Sequence, residues 1–223
     1  VKARNVIKRI LYPILKPSAE WYFSKPRPYK YNDIKVTVQP GVFHPHLTIS
    51  TKLLLQFLEG IELNDKKVLE LGCGCGIISV LAAKKGAAVT ASDISQTAVT
   101  NVQQNASDNE VAVEAIFSDL FEALEGRLFD VMIVNPPYYP KTPQNEKEYA
   151  WYCGEEFEYF ERFFQQLKVH LLPGAIVYMI LSEDCDIKHI SGIAQQHHFS
   201  MDKVQQKKVA SEKNFIFKIQ SLT

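Results

Sequence analysis

The sequence predicts an α/β protein built on a doubly wound, mostly parallel sheet that ends in a C-terminal antiparallel strand pair. Three observations carry that expectation. Short apolar runs alternate with helical patterns from residue 53 onward, and a glycine-rich turn joins the first of those runs to a helix. The last two extended segments, Phe199 to Val209 and Asn214 to Ile219, follow each other closely enough to pair as a ribbon.

Taken in order, Val6, Ile7, Ile10, Leu11, Ile14 and Leu15 recur at helical spacing and predict an amphipathic helix. Lys25-Pro26-Arg27-Pro28 predicts a loop, and Ile34 to Val38 alternates as a strand or edge ribbon before Pro40-Gly41. Residues 1–41 are thus expected to form a basic helix with an extended segment, and residues 42–223 the main domain. Within it, Leu53 to Glu59 is a helix leading to a strand at Val68, and Ile77 to Ala82 has the pattern of the next helix. Strand Ala88 to Ser92, helix Thr97 to Ala106, strand Val111 to Phe117, a short helix near Phe121 and strand Phe129 to Val134 continue the alternation. A longer helix is expected over Glu155 to Leu171, stopped by Leu172-Pro173-Gly174, followed by strand Ala175 to Leu181 and helix Ile187 to Gln196.

Composition fits one soluble core: the chain has 223 residues, of which 46% are hydrophobic. No apolar run approaches the ~20 residues that cross a bilayer, and no cleavable signal pattern stands out, so a cytoplasmic protein without integral membrane association is expected. Cys73 and Cys75 sit between glycines, while Cys153 and Cys185 stand alone, so zinc spacing fails and no metal is expected. Packing of small residues explains Cys73-Gly74-Cys75 more simply than redox chemistry does. The net charge is zero but uneven. Residues 1–30 hold eight Lys or Arg against Glu20 alone, a balance of +7, and the rest carries −7. Such an arm suits RNA, an acidic partner or a membrane surface, or else it is a packed helix with solvated lysines outside.

Two motifs carry chemistry. Val68-Leu69-Glu70-Leu71 runs into Gly72-Cys73-Gly74-Cys75-Gly76 and then into a helix; the glycines let a ligand approach the main chain beside free helix N–H groups. Ile77 occupies the place where a dinucleotide fingerprint has glycine, which disfavours a nicotinamide cofactor. Asp93 closes the next strand 21 positions after Gly72, where an acid takes the two hydroxyls of a ribose. Asp119 closes the third strand. It is placed either to accept from an adenine amino group, with Ile94 and Leu120 flanking the ring, or to cap the short helix that follows. The second motif is Asn135-Pro136-Pro137-Tyr138. Its prolines hold the turn extended, its freed carbonyls and the Asn135 oxygen can accept from a planar –NH₂, and Tyr138 can lie against the attached conjugated plane.

With Glu70 to Gly76, Asp93, Asp119 and Asn135 to Tyr138 in this order and spacing, the chain resembles the class I S-adenosylmethionine-dependent methyltransferases, whose fold is Rossmann-like. It resembles most closely the HemK-like glutamine methyltransferases and their methyltransferase small domain relatives. Gly41-Val42-Phe43-His44-Pro45 and Trp151-Tyr152-Cys153-Gly154 match those relatives as well. The resemblance implies that Glu70, Gly72, Cys73, Gly74, Gly76, Asp93, Ile94, Asp119 and Leu120 bind S-adenosylmethionine. It implies equally that Asn135, Pro136 and Tyr138 hold the accepting nitrogen. The implied substrate is a protein glutamine amide, as in a translation factor; the alternatives are an adenine or guanine amine of RNA or DNA, or a noncatalytic cofactor-binding scaffold. A small activating partner is compatible with all three. One departure is His46-Leu47-Thr48-Ile49-Ser50, where many members carry an acid; His46 or Thr48 stands in as a cofactor-side contact, or the segment packs under the helix. The segment from Tyr139 to Cys153 is expected to be a substrate lid or a tolerated surface insertion.

Overall fold

The computed structural model describes residues 22–209 and 212–222, so the amphipathic helix expected over residues 6–15 lies outside the described residues. A two-stranded antiparallel hairpin, β1 (Arg27–Tyr31) and β2 (Ile34–Val38), precedes helix α1 (Ser50–Glu59). Then follow β3 (Lys67–Leu71), α2 (Ile77–Lys84), β4 (Ala88–Asp93), α3 (Gln96–Asp108), β5 (Val113–Phe117) and β6 (Phe129–Val134). The chain ends with α4 (Glu158–Leu167), β7 (Leu171–Ser182), α5 (Ile187–Gln196), β8 (Phe199–Val209) and β9 (Glu212–Ser221). β3 to β9 form one seven-stranded sheet in the order β5-β4-β3-β6-β7-β9-β8, parallel except for β9, which runs antiparallel to both its neighbours.

Both faces of the sheet are covered, which is why the central strands are apolar without alternation. In β6, Met132 and Val134 enter the core shared with α4 and α5, while Val131 and Ile133 enter the core shared with α1, α2 and the hairpin. Helix α4 supplies Phe160, Phe163, Phe164 and Leu167, at most 1% exposed, at the i, i+3, i+4, i+7 spacing that makes one buried stripe. Among the described residues no helix is long and apolar enough to cross a membrane.

Five expectations need correction. Arg27 and Pro28 belong to strand β1 rather than a loop, and Pro28, lacking an N–H, is tolerated because β1 has no second partner strand. The third strand of the alternation begins at Val113 instead of Val111. No helix starts near Phe121; a run of turns stands there, with Ser118 Oγ accepting from Ala123 N at 3.0 Å. The helix expected to end at Leu171 stops at Leu167. A 3₁₀ turn over Lys168–His170 follows, and Leu171 already pairs with Phe129. Pro173-Gly174 is absorbed as a register shift, with Val131 pairing Ile176, instead of breaking the strand.

The free edge of β2 is satisfied by a helix. Asn101, Asn105 and Asn109 lie four residues apart on one face of α3 and its C-terminal end. Their Oδ1 atoms accept from the backbone N–H of Gln39 (3.0 Å), Thr37 (2.9 Å) and Lys35 (3.3 Å). The Nδ2 groups of Asn101 and Asn105 donate to the Thr37 carbonyl and that of Asn109 to the Lys35 carbonyl. The match is geometric: four helical residues rise about 6 Å, and two strand residues advance about 6.6 Å. Asn105, fully buried, also donates to the Cys75 carbonyl at 2.9 Å, tying hairpin, helix and glycine turn together. Asn105→Ala should cost on the order of 3 kcal/mol in urea unfolding, because it strands buried backbone groups, and Asn109→Ala about 1 kcal/mol. Equal losses for the two variants would contradict this ranking.

Candidate active site

Because β3, β4, β5 and β6 run parallel, the turns that leave them gather along one edge. A cavity of about 410 Å³ opens there, within the range of small-molecule sites, and its wall contains every predicted site residue except Gly76. Gly76 serves packing. Its φ is +73°, and a Cβ there would sit 2.7 Å from Val102 Cγ2, so glycine lets α3 approach the turn.

At Gly72, φ is +76° and a Cβ would meet nothing within 4 Å, so the bare backbone faces open space. The Gly72 and Cys73 N–H groups donate to the Ser92 carbonyl, pinning the turn to the end of β4. Asp93 braces it from the other side, accepting from Gly74 N through Oδ2 and from Ser95 N through Oδ1, each at 2.9 Å. Burial raises the Asp93 pKa, and those backbone donors oppose the shift. Ser92 Oγ is buried in the same wall without a hydrogen-bond partner among the described residues. An open glycine cradle, a braced carboxylate and an orphaned hydroxyl suit a ligand rich in hydroxyl and amino groups, as a nucleoside–amino acid cofactor is. The thiols of Cys73 and Cys75 are buried and their pKa values pushed up, that of Cys75 to about 12, chiefly by desolvation, so neither supplies a thiolate.

Glu70 is 5% exposed and accepts from Ser79 through both its backbone N–H (2.8 Å) and its hydroxyl. Burial pushes its carboxyl up to about 8, outweighing the Ser79 donors, and the nearby Asp93 charge adds to the rise. At the end of β5, Leu120 is buried at a φ of +50°. Asp119 is joined to Arg162 of α4 at 2.9 Å, and Arg162 also reaches Glu122 at 3.2 Å. Ser118, not Asp119, supplies the side-chain hydrogen bond to the following turn.

Asn135 is half-buried at the cavity wall, with Nδ2 3.5 Å from Thr51 Oγ1 on α1. Pro136 and Tyr138 beside it are buried. Tyr138 is 9% exposed and packs against Tyr139 with ring centroids 4.9 Å apart, so its ring forms part of the wall. Two loops contribute to the cavity wall. The segment after Tyr138 is fastened at its base: the Tyr138 and Tyr139 N–H groups donate to the Trp151 carbonyl at 3.2 and 3.0 Å, and Cys153 N donates to the Tyr139 carbonyl at 3.0 Å. Phe43, from the loop before α1, meets Trp151 edge-on with ring centroids 5.1 Å apart. Thr48 lines the cavity and bonds to Ser50 at 2.8 Å, whereas His46 packs on Tyr29 outside the wall. Sequence reasoning missed Thr51 and Arg162. Arg162 gave no signal, being 43 residues from its partner Asp119.

The raised Glu70 carboxyl carries a stability consequence. Between the ordinary glutamate range near 4.5 and about 8 the folded chain binds more protons at this site than the unfolded one, so stability falls as pH rises through that window. Glu70→Gln keeps an acceptor for Ser79 and removes the titration. The melting temperature of the wild type should therefore decline relative to the variant from pH 5 to pH 8; parallel curves would show that Glu70 ionises normally.

The methyltransferase small domain model matches residues 33–210. A Methanocaldococcus jannaschii protein, whose name assigns it provisionally to protein N5-glutamine methylation, is 37% identical over 67% of this chain and 76% of its own length. Among solved structures, the T. thermophilus 16S rRNA N2 G1207 methyltransferase, in complex with AdoMet and guanosine, is similar with a TM-score of 0.63. It is 22% identical over 87% of this chain, which spans 50% of that longer protein. The E. cuniculi Mtq2–Trm112 complex, described as methylating the eRF1 translation termination factor, matches with a TM-score of 0.62 and 21% identity, covering 81% of this chain and 99% of that one. These two structures support the Rossmann-like fold. With the residues matched by the family model, the chain belongs to the methyltransferase small domain family of S-adenosylmethionine-dependent methyltransferases.

Proposed function

We propose that the chain transfers a methyl group from S-adenosylmethionine to the amide nitrogen of a protein glutamine, in the manner of the HemK-like group. The observation that carries this reading is the single cavity whose wall includes both the glycine turn with Asp93 and the Asn135-Pro136-Pro137-Tyr138 turn. Gly72, Gly74 and Asp93 would hold the methionine and ribose parts of the cofactor, with Glu70, Cys73, Ile94 and Leu120 around them and Asp119, steered by Arg162, toward the base. The cofactor, when bound, supplies an electrophilic methyl group. The chain supplies orientation and polarity.

An amide nitrogen has its lone pair delocalised into the adjacent carbonyl. Hydrogen bonds from its two N–H groups to Asn135 Oδ1 and the Pro136 carbonyl would return density to nitrogen as the N–CH₃ bond forms and the S–CH₃ bond breaks, with S-adenosylhomocysteine as the leaving group and one N–H proton released to water. No residue needs to form a covalent bond with the acceptor, and Asn135 works as a neutral amide.

The charge of the wall favours a polypeptide over a nucleic acid. Arg162 is the one Lys or Arg among the described residues that line the cavity, and it is already bridged to Asp119 and Glu122. Glu146 and Glu158 add negative charge at the mouth. A phosphodiester there would meet repulsion without a free cation, against the usual dominance of phosphate contacts in nucleic-acid binding. The basic arm over residues 1–30 and the rRNA-modifying relative keep an RNA base amine as the second reading.

Asn135→Ala should lower the methylation rate about 100-fold, the scale of losing one transition-state hydrogen-bonding group, with cofactor affinity retained. Near-normal turnover would reject its role. Asp93→Ala should weaken S-adenosylhomocysteine binding in calorimetry; unchanged affinity would remove Asp93 from the ribose site. Incubating a cell extract with labelled S-adenosylmethionine and separating the fractions decides the substrate, with label in protein expected and label in RNA favouring the second reading.

A further inference from the structure

One buried stripe of α1 is apolar except at a single position. Thr51, Leu54, Leu55 and Leu58 recur at i, i+3, i+4 and i+7; the three leucines are 0% exposed and Thr51 5%. A hydroxyl on such a stripe is costly unless it has a partner. The partner is Asn135, 84 residues away, whose Nδ2 lies 3.5 Å from Thr51 Oγ1, and both residues line the cavity. The neighbouring hydroxyls of Thr48 and Ser50 bond to each other, leaving Thr51 to meet Asn135.

A terminal amide can rotate to exchange its NH₂ for its carbonyl oxygen, and the two faces have opposite hydrogen-bonding character. With NH₂ toward the cavity, Asn135 would oppose the N–H bonds of an acceptor amine. With Oδ1 toward it, the same residue receives one. We infer that Thr51 is a positioning residue that decides between these states: its hydroxyl oxygen takes Asn135 Nδ2 on the α1 side and so turns Oδ1 toward the acceptor nitrogen. The inference rests on the proposed N-methyl transfer, since only an acceptor bearing N–H bonds requires an oxygen there. It also explains why a threonine interrupts a leucine stripe at the point where α1 passes the catalytic turn.

The test compares Thr51→Val, which replaces the hydroxyl by a methyl group of the same shape, with Thr51→Ser, which keeps the hydroxyl. For each variant and the wild type, three quantities are measured: initial rate of label transfer from S-adenosylmethionine into cell extract, S-adenosylhomocysteine affinity by calorimetry, and melting temperature. Thr51→Val should lower the rate about tenfold, with affinity within twofold of wild type and no fall in melting temperature, because the lost interaction is felt only by the acceptor. Thr51→Ser should restore the rate to within about threefold of wild type. A wild-type rate for Thr51→Val would overturn the inference, as would equal slowing by both substitutions or loss of cofactor affinity in step with rate. Failure of the underlying reading looks different. Wild-type label in RNA would overturn the glutamine substrate while leaving the Thr51 comparison valid on a base amine, and no wild-type transfer to either fraction would overturn both.

Discussion

Parallel pairing is the constraint on which the site depends. Because β3 pairs in parallel with both β4 and β6, and β4 with β5, the residues that follow their carboxyl ends must share one edge, however far apart they stand in the chain. Gly72, Asp93, Asp119 and Asn135 each follow or close one of those strands. The apolar strands and the aromatic stripe of α4 hold the sheet, and the sheet converts sequence order into a cavity wall. Chemistry is thereby separated from stability: core residues fix the strands, and the turns are free to carry polar groups.

Around that edge, polar residues fasten the turns to neighbours instead of leaving them to the solvent. Asp93 grips the glycine turn through the Gly74 N–H, Asn105 holds the Cys75 carbonyl, and the Trp151 carbonyl holds the Tyr138 N–H. Asn105 also bonds the β2 backbone, so the hairpin and α3 both bear on the cavity. A site that works by orientation needs such support, since small displacements of the reacting groups are costly in rate.

Much of this was legible in the sequence because the informative features are local. The glycine run, the acid 21 residues beyond it and the double proline each constrain backbone or chemistry within a few residues, and all but Gly76 of the predicted set meet in one wall. Gly76 shows the limit of such grouping. It stands in the motif by position, yet its missing Cβ makes room for Val102, a packing demand set by a helix 26 residues away. Elements were misjudged where a tertiary partner overruled local punctuation. Pro28 suggested a loop but sits on a strand with one free edge, and Pro173-Gly174 suggested a break but is carried as a bulge beside Phe129. The asparagines at 101, 105 and 109 stand four residues apart, but their role depends on the β2 backbone, which nothing local in the sequence names as their partner. Thr51 likewise acquires meaning only once α1 is laid beside Asn135.

The central claim is that a methyl donor and a planar nitrogen meet within this one cavity. A crystal structure of the chain with S-adenosylhomocysteine and a glutamine-bearing acceptor peptide measures that meeting directly. The account predicts the cofactor on the Gly72–Gly74 turn with its ribose at Asp93, and the acceptor nitrogen donating to Asn135 Oδ1 while facing the cofactor sulfur. A cofactor seated elsewhere, or an acceptor nitrogen turned away from both Asn135 and the sulfur, would contradict it.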